Sequence, residues 1–116
     1  MKEKFLKSLK YAFNGISYTF KNELNFKIQV LFAIVVVILG LLLSITKTEW
    51  IIILLCIAFV LCAELFNTAI ETICNKIEPN IHPQIKIIKD VSAAAVLVVA
   101  IAAAIVGAII FVPKIF

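Results

Sequence analysis

The sequence predicts an all-α integral membrane protein, in which an amphipathic helix at the N-terminus precedes three membrane-spanning helices. Hydrophobic residues make up 64% of the 116-residue chain, well above the roughly 45–50% that is typical of soluble domains. The mean hydropathy of +1.15 agrees with this. Long apolar stretches recur along the chain, and each can cross a hydrocarbon core of about 30 Å. The length suits a single domain over residues 1–116.

The pattern of residues 2–21 predicts a helix that lies on the membrane surface, because apolar and polar side chains fall on two opposite faces at helical spacing. The apolar face consists of Phe5, Leu9, Ala12, Phe13, Ile16 and Phe20. The opposite face consists of Lys4, Lys7, Lys10, Asn14, Ser17 and Lys21. A basic face opposite an aromatic one is typical of an interfacial helix. A basic stretch can also bind nucleic acid, but the strongly apolar remainder of the chain argues against that function.

The three membrane-spanning helices are predicted over residues 28–45, 48–77 and 91–112. The first of these stretches carries no charge. The second would be roughly 45 Å long, so one of its ends must stand in the headgroups or in water. Pro79 and Pro83 are expected to end that helix and to leave a loop over residues 78–88.

Lysine placement predicts how these helices are oriented. The N-terminal segment and the second loop are rich in lysine: Lys2, Lys4, Lys7, Lys10, Lys21, Lys27, Lys76, Lys86 and Lys89. The first turn and the C-terminus carry only Lys47 and Lys114. Cytoplasmic flanks of membrane helices are enriched in lysine and arginine. We therefore expect a cytoplasmic N-terminus and second loop, with the C-terminus outside.

A polar stripe on the second spanning helix is the strongest indication of a functional site. It consists of Glu64, Asn67, Thr68, Glu71 and Asn75, whose spacing places them on one helix face. An ionised acid in a membrane helix costs about 2.5–3.5 kcal/mol at mid-depth, so such residues usually serve a function. Three spans alone cannot surround this stripe, and a homo-oligomer is therefore expected. Small residues that permit close helix packing in lipid support that expectation: Ala100, Ala104 and Ala108.

The charged residues at the predicted cytoplasmic interface suit a hydrated divalent cation and a polyphosphate. Glu23, Glu71 and Asp90 fall at this level, with Lys89 adjacent. Mg²⁺ takes one or two carboxylates and completes its shell with water and phosphate oxygens, while lysine supplies a point charge for phosphate. Glu64 lies about 10 Å further into the bilayer, at the depth where a base could meet a lipid alcohol.

Three classes of function stay open from these residues alone. A membrane-embedded enzyme could catalyse phosphoryl transfer on a small scaffold, because that reaction needs mostly positioning and charge neutralisation. A proton- or ion-coupled carrier could use Glu64 and Glu71. A structural or pore-forming oligomer is the third class. The familiar soluble kinases are excluded, since Gly15, Gly40 and Gly107 are too far apart to form a phosphate-binding loop.

Two sequence strings carry a resemblance to a known family. Glu64-Leu-Phe-Asn-Thr-Ala-Ile-Glu71, followed by Lys89-Asp-Val-Ser-Ala-Ala-Ala-Val96, resembles the signature of the prokaryotic diacylglycerol kinases, which include undecaprenol kinases. The resemblance covers essentially the whole chain, including Glu23-Leu-Asn-Phe-Lys27 before the first span. It implies a homotrimer in the bacterial plasma membrane that transfers the γ-phosphate of ATP to a lipid hydroxyl.

The resemblance also implies roles for individual residues. Glu64 would be the general base and Asn67 would help to hold the reacting groups. Glu23 and Glu71 would ligate the Mg²⁺ that accompanies ATP. The nucleotide would further be contacted by Lys4, Tyr11, His82, Lys89 and Asp90.

Simpler interpretations stand beside these roles. His82 could be a solvated turn residue, Asp90 the N-cap of the third spanning helix, and Lys89 an interfacial anchor. Asn67 and Thr68 could be interhelical hydrogen-bonding residues, worth about 0.6 kcal/mol each.

Two points of substrate and site chemistry follow from the resemblance. Asn75 stands where the family usually has an aspartate, so nucleotide affinity is expected to be reduced. The lipid acceptor is expected to be undecaprenol, because the composition, rich in Lys, Ile and Asn, favours a Gram-positive-type organism. Diacylglycerol is the alternative, since both lipids present one hydroxyl at the interface and hydrocarbon below it.

Overall fold

Four α-helices make up nearly all of the computed structural model, which describes residues 1–116. They are α1 (Lys2–Asn22), α2 (Leu24–Leu42), α3 (Lys47–Ile77) and α4 (Pro83–Ile115). The last three are each long and apolar enough to cross a membrane. The predicted all-α architecture with three candidate spans is therefore confirmed.

The junction of α1 and α2 is a single extended residue, Glu23, with φ −115° and ψ 111°. Its N–H donates to the carbonyl of Thr19 at 2.8 Å and so completes the last turn of α1. α2 then begins at Leu24, earlier than the predicted start at residue 28. The structure thus places Glu23 at the N-terminus of the first apolar helix.

α2 ends at Leu42, so the prediction of a helix through Ile45 is wrong at that end. Ser44 adopts the left-handed conformation with φ 50°, and the N–H of Ile45 donates to the carbonyl of Gly40 at 3.2 Å. This bond closes a Schellman-type end. Apolar periodicity gave no sign of it, since Ser44 takes the place that glycine usually occupies.

The start of α3 is defined by a capping box. The Thr46 hydroxyl accepts from the Glu49 N–H at 3.1 Å, and the Glu49 carboxylate accepts from the Thr46 N–H at 2.9 Å. The same carboxylate pairs with Lys114 Nζ at 3.2 Å, which joins the end of α4 to the start of α3. At its other end α3 stops before Pro79, because a residue preceding proline is disfavoured in helical conformation and Glu78 is extended.

α4 begins at Pro83, so the predicted loop over residues 78–88 is shortened to 78–82. The proline pattern predicts a helix break at Pro83. In the structure, Pro83 occupies the first helical position of α4, where its missing N–H costs nothing. His82 is the N-cap. The alternative role of Asp90 as an N-cap is therefore wrong, since Asp90 lies within α4.

The most extensive helix–helix contact is between α3 and α4. At the end far from the polar stripe, a core of Ile45, Ile53, Ile110 and Phe111 joins them. Only 12 of 116 residues are buried in the single chain. Most of the apolar surface is consequently available to lipid or to other subunits.

Candidate active site

The predicted polar stripe lies on the inward face of α3. Glu64 is 2% exposed, Thr68 5% and Asn67 9%, while Glu71 is half-buried and Asn75 is exposed. Exposure therefore increases along the stripe from Glu64 toward the end of α3. Burying a carboxylate to this degree is costly unless it has partners, so the contacts of Glu64 matter for its function.

The side-chain amide of Asn67 joins the two carboxylates of the stripe. Its Nδ2 donates to Glu64 Oε2 at 3.1 Å and to Glu71 Oε1 at 3.3 Å. Its Oδ1 accepts from the Ser92 hydroxyl of α4 at 2.7 Å. Asn67 thus makes the interhelical bond that the simpler interpretation expected, whereas Thr68 Oγ1 is buried without a partner.

Ser92 is the site residue that sequence reasoning missed. It is 8% exposed and lies on α4, one turn after Lys89. A polar residue at the start of the alanine-rich run was the only available signal. That signal is weak, because serine is common at such positions and the pairing with Asn67 depends on how the helices pack.

Glu23 adds a third carboxylate to this region. It is half-buried, and its charge and that of Glu71 both act on Glu64 electrostatically. No three His, Cys, Asp or Glu side chains lie close enough together to hold a metal ion by themselves. Glu23 and Glu71 still fit Mg²⁺, since that ion needs only one or two carboxylates when water and phosphate oxygens complete its shell.

Lys89 lies beside the exposed end of the stripe, where its Nζ donates to Asn75 Oδ1. This contact places a half-buried cation one turn beyond Glu71. Asp90, in contrast, faces outward and pairs with Lys86 Nζ at 2.6 Å. Lys89 therefore joins the stripe, and Asp90 does not.

The remaining predicted nucleotide contacts lie away from the stripe. His82 is exposed, and its Nδ1 accepts from the Gln84 N–H at 3.2 Å as the cap of α4. Lys4 and Tyr11 are exposed on α1, and neither side chain has a hydrogen bond or ion pair to the carboxylates. The structure brings together Glu64, Asn67 and Glu71 with Lys89 nearby.

An apolar cavity of about 390 Å³ lies between α2, α3 and α4. Leu61 and Val60 line it one turn from Glu64, and Gly107 and Ala104 line it from α4. Its polar lining comes from Gln29, whose Oε1 is buried without a partner. Glu64 therefore lies one helical turn from a space that suits hydrocarbon.

The comparison with protein families is decisive. A sequence model described as prokaryotic diacylglycerol kinase matches residues 10–111. The chain belongs to the prokaryotic diacylglycerol kinase family. The chain is consequently a lipid kinase, which is a phosphotransferase. The family implies ATP as the phosphoryl donor. Membership excludes the two other classes of function, the carrier and the structural or pore-forming oligomer.

Three relatives within this kinase family are similar over most of the chain. The undecaprenol kinase of Bacillus subtilis is 40% identical over 111 residues, which are 96% of this chain and 90% of that protein. A diacylglycerol kinase of Synechocystis is 36% identical, across 93% of this chain and 62% of that protein. A diacylglycerol kinase of Haemophilus influenzae is 32% identical, across 80% of this chain and 79% of that protein.

Proposed function

We propose that this kinase transfers the γ-phosphate of ATP to the hydroxyl of undecaprenol and releases undecaprenyl phosphate and ADP. The observation that carries the proposal is the buried Glu64 carboxylate, which lies one helical turn from residues that line an apolar cavity and is joined through Asn67 to Glu71. A base held at hydrocarbon depth can meet the hydroxyl of a lipid whose chain stays in the membrane.

Glu64 acts as the general base. It takes the proton of the lipid hydroxyl while the oxygen attacks the γ-phosphorus and the bond to the ADP oxygen breaks. Asn67 holds this carboxylate at 3.1 Å from its Nδ2. Positioning of this kind lowers the barrier because the reacting groups no longer have to be brought together from solution.

Glu71 and Glu23 hold the Mg²⁺ that accompanies ATP. When bound, the ion neutralises charge on the phosphates. Glu71 accepts only one bond from Asn67, so its other oxygen is free for a ligand. The charges of Glu23 and Glu71 both act on Glu64, and this concentration of negative charge favours a cation here.

The nucleotide binds on the exposed side of Glu71. Lys89 is positioned to meet a phosphate there, because it lies one turn beyond Glu71 and already contacts Asn75. Lys4, Tyr11, His82 and Asp90 contribute at the periphery. All four side chains are exposed and are therefore accessible to a ligand from solution.

A homotrimer in the bacterial plasma membrane is the proposed assembly. The amphipathic α1 lies in the interface on the cytoplasmic side, together with residues 78–82, and the C-terminus lies outside. Lysine placement supports this orientation. The large apolar surface of the single chain supports burial against neighbouring subunits.

Undecaprenol is proposed as the acceptor because the Bacillus subtilis undecaprenol kinase is matched over nearly its whole length. Diacylglycerol is the second candidate, since the relatives of Synechocystis and Haemophilus influenzae are diacylglycerol kinases. Both lipids place a hydroxyl at the interface and hydrocarbon below it, as the proposed role of Glu64 requires.

A radiolabelled-ATP assay on the purified protein in detergent micelles tests the proposal. Undecaprenol and diacylglycerol are offered separately and then in competition, with and without Mg²⁺. We expect label in undecaprenyl phosphate with the higher kcat/KM, and only when Mg²⁺ is present. A higher kcat/KM for diacylglycerol would reassign the acceptor, and transfer that proceeds without a divalent cation would contradict the metal site.

A further inference from the structure

We propose that Ser92 is a positioning residue for phosphoryl transfer. It orients the Asn67 amide so that its N–H groups face Glu64 and Glu71. This inference rests on the proposed role of Glu64 as the base. It adds a second residue of α4, after Lys89, to a site whose other hydrogen-bonded members belong to α3.

Ser92 differs from the other helical hydroxyl groups of this chain that donate hydrogen bonds. The other three each donate to the carbonyl four residues earlier in their own helix: Ser8 at 3.1 Å, Thr19 at 2.9 Å and Thr72 at 2.8 Å. Ser92 instead donates across the helix interface to Asn67 Oδ1 at 2.7 Å. Because a hydroxyl has a single hydrogen, Ser92 is committed to Asn67.

The Ser92 hydroxyl and the two carboxylates together favour one orientation of the Asn67 amide. An amide side chain can be turned over, which exchanges its acceptor oxygen for its donor nitrogen. With Ser92 donating to Oδ1, Nδ2 must face Glu64 and Glu71. In the reversed orientation, Oδ1 would oppose two carboxylates and Nδ2 would face the hydroxyl, so the base would lose its donor.

Burial makes the contact consequential. Ser92 is 8% exposed and Asn67 is 9% exposed, so little water can replace the hydroxyl if it is removed. No other side chain donates to Asn67 Oδ1. Removing the hydroxyl therefore leaves a buried acceptor without a partner, and the amide is held from one side only.

Steady-state kinetics of Ser92→Ala test the inference. We expect kcat to fall about tenfold, because the base is held less well, while the KM for ATP and for the lipid changes by less than about twofold. Ser92→Thr retains the hydroxyl and is expected to restore kcat. Thr72→Ala is the matched control, since it removes a hydroxyl that bonds only within α3 and should leave kcat unchanged.

A double-mutant cycle distinguishes positioning from a merely structural role. If Ser92 acts through Asn67, Ser92→Ala should change kcat by less than about twofold in an Asn67→Ala background. An equal loss of kcat in both backgrounds would overturn the inference. Size-exclusion chromatography shows whether Ser92→Ala still forms the folded oligomer. Loss of that oligomer, together with failure of Ser92→Thr to restore activity, would also overturn the inference.

Glu64→Gln separates this inference from the proposed function. Near-normal turnover of Glu64→Gln would show that Glu64 is not the general base, whatever the effect of Ser92→Ala. An inactive Glu64→Gln beside a fully active Ser92→Ala would leave the proposed function in place and refute the role of Ser92.

Discussion

Asn67 Nδ2 lies 3.1 Å from Glu64 Oε2, within a membrane helix in which Glu64 is the most buried polar side chain. The two residues are one helical turn apart, so the bond forms within α3 and does not depend on another helix. The Asn67 Nδ2 also donates to Glu71 Oε1 at 3.3 Å. One neutral donor thus serves both the proposed base and a proposed metal ligand.

Neutralising Glu64 should abolish turnover and spare nucleotide binding. For Glu64→Gln we expect kcat to fall by about 10²–10⁴-fold, the usual contribution of a general base. Transfer of label measures kcat, and a fluorescent ATP analogue measures binding. Glu3→Gln removes an exposed carboxylate of α1 and should keep full activity. Near-normal turnover of Glu64→Gln would show that another group takes the proton.

Neutralising Glu71 should damage metal-dependent nucleotide binding as well as turnover. Glu71→Gln and Glu23→Gln each remove one proposed Mg²⁺ ligand, so the Mg²⁺ concentration for half-maximal activity should rise about tenfold or more. A Mg²⁺ titration at saturating ATP measures this shift. Chelation of the metal should stop transfer by the unmodified protein. Unchanged Mg²⁺ dependence in both variants would reject these ligands.

Asn75→Asp should lower the KM for ATP. The substitution adds the carboxylate that the family resemblance leads us to expect at this position. It also converts the contact with Lys89 into an ion pair. We expect a decrease of several-fold with kcat little changed. Asn80→Asp, which adds the same charge in the exposed loop, is the control. An unchanged or higher KM in Asn75→Asp would contradict the prediction.

The end of the protein far from the site offers a test of stability alone. Glu49 takes part in the capping box of α3 and in the ion pair with Lys114, so Glu49→Ala should lower Tm more than Lys114→Ala does. Shifts of a few degrees are expected. Lys47→Ala removes an exposed lysine at the same end and should leave Tm unchanged. Equal shifts for Glu49→Ala and Lys114→Ala would indicate that the capping box contributes nothing.

Local sequence pattern is sufficient to predict the apolar helices and the helix face that carries the polar stripe. Both are local properties, because hydropathy and a repeat of 3.6 residues can be read along one segment. Glu64, Asn67 and Glu71 share a face in any helix that contains them. Their hydrogen bonds in the structure follow from that spacing.

Helix ends were predicted less well, since they depend on backbone conformation more than on apolar pattern. Ser44 in the left-handed conformation ends α2 before Ile45. Pro83 starts α4, although proline more often signals a break. That start places Asp90 within the helix, where it pairs with Lys86 and faces away from the stripe.

The residues of α4 that meet the stripe are set by the packing of α4 against α3. Ser92 lies against Asn67 and Lys89 against Asn75, and each pair is formed by helices that approach each other after an intervening loop. Their meeting depends on the register and rotation of α4 against α3. Side-chain packing along the whole interface sets that register, and no short stretch of sequence contains it.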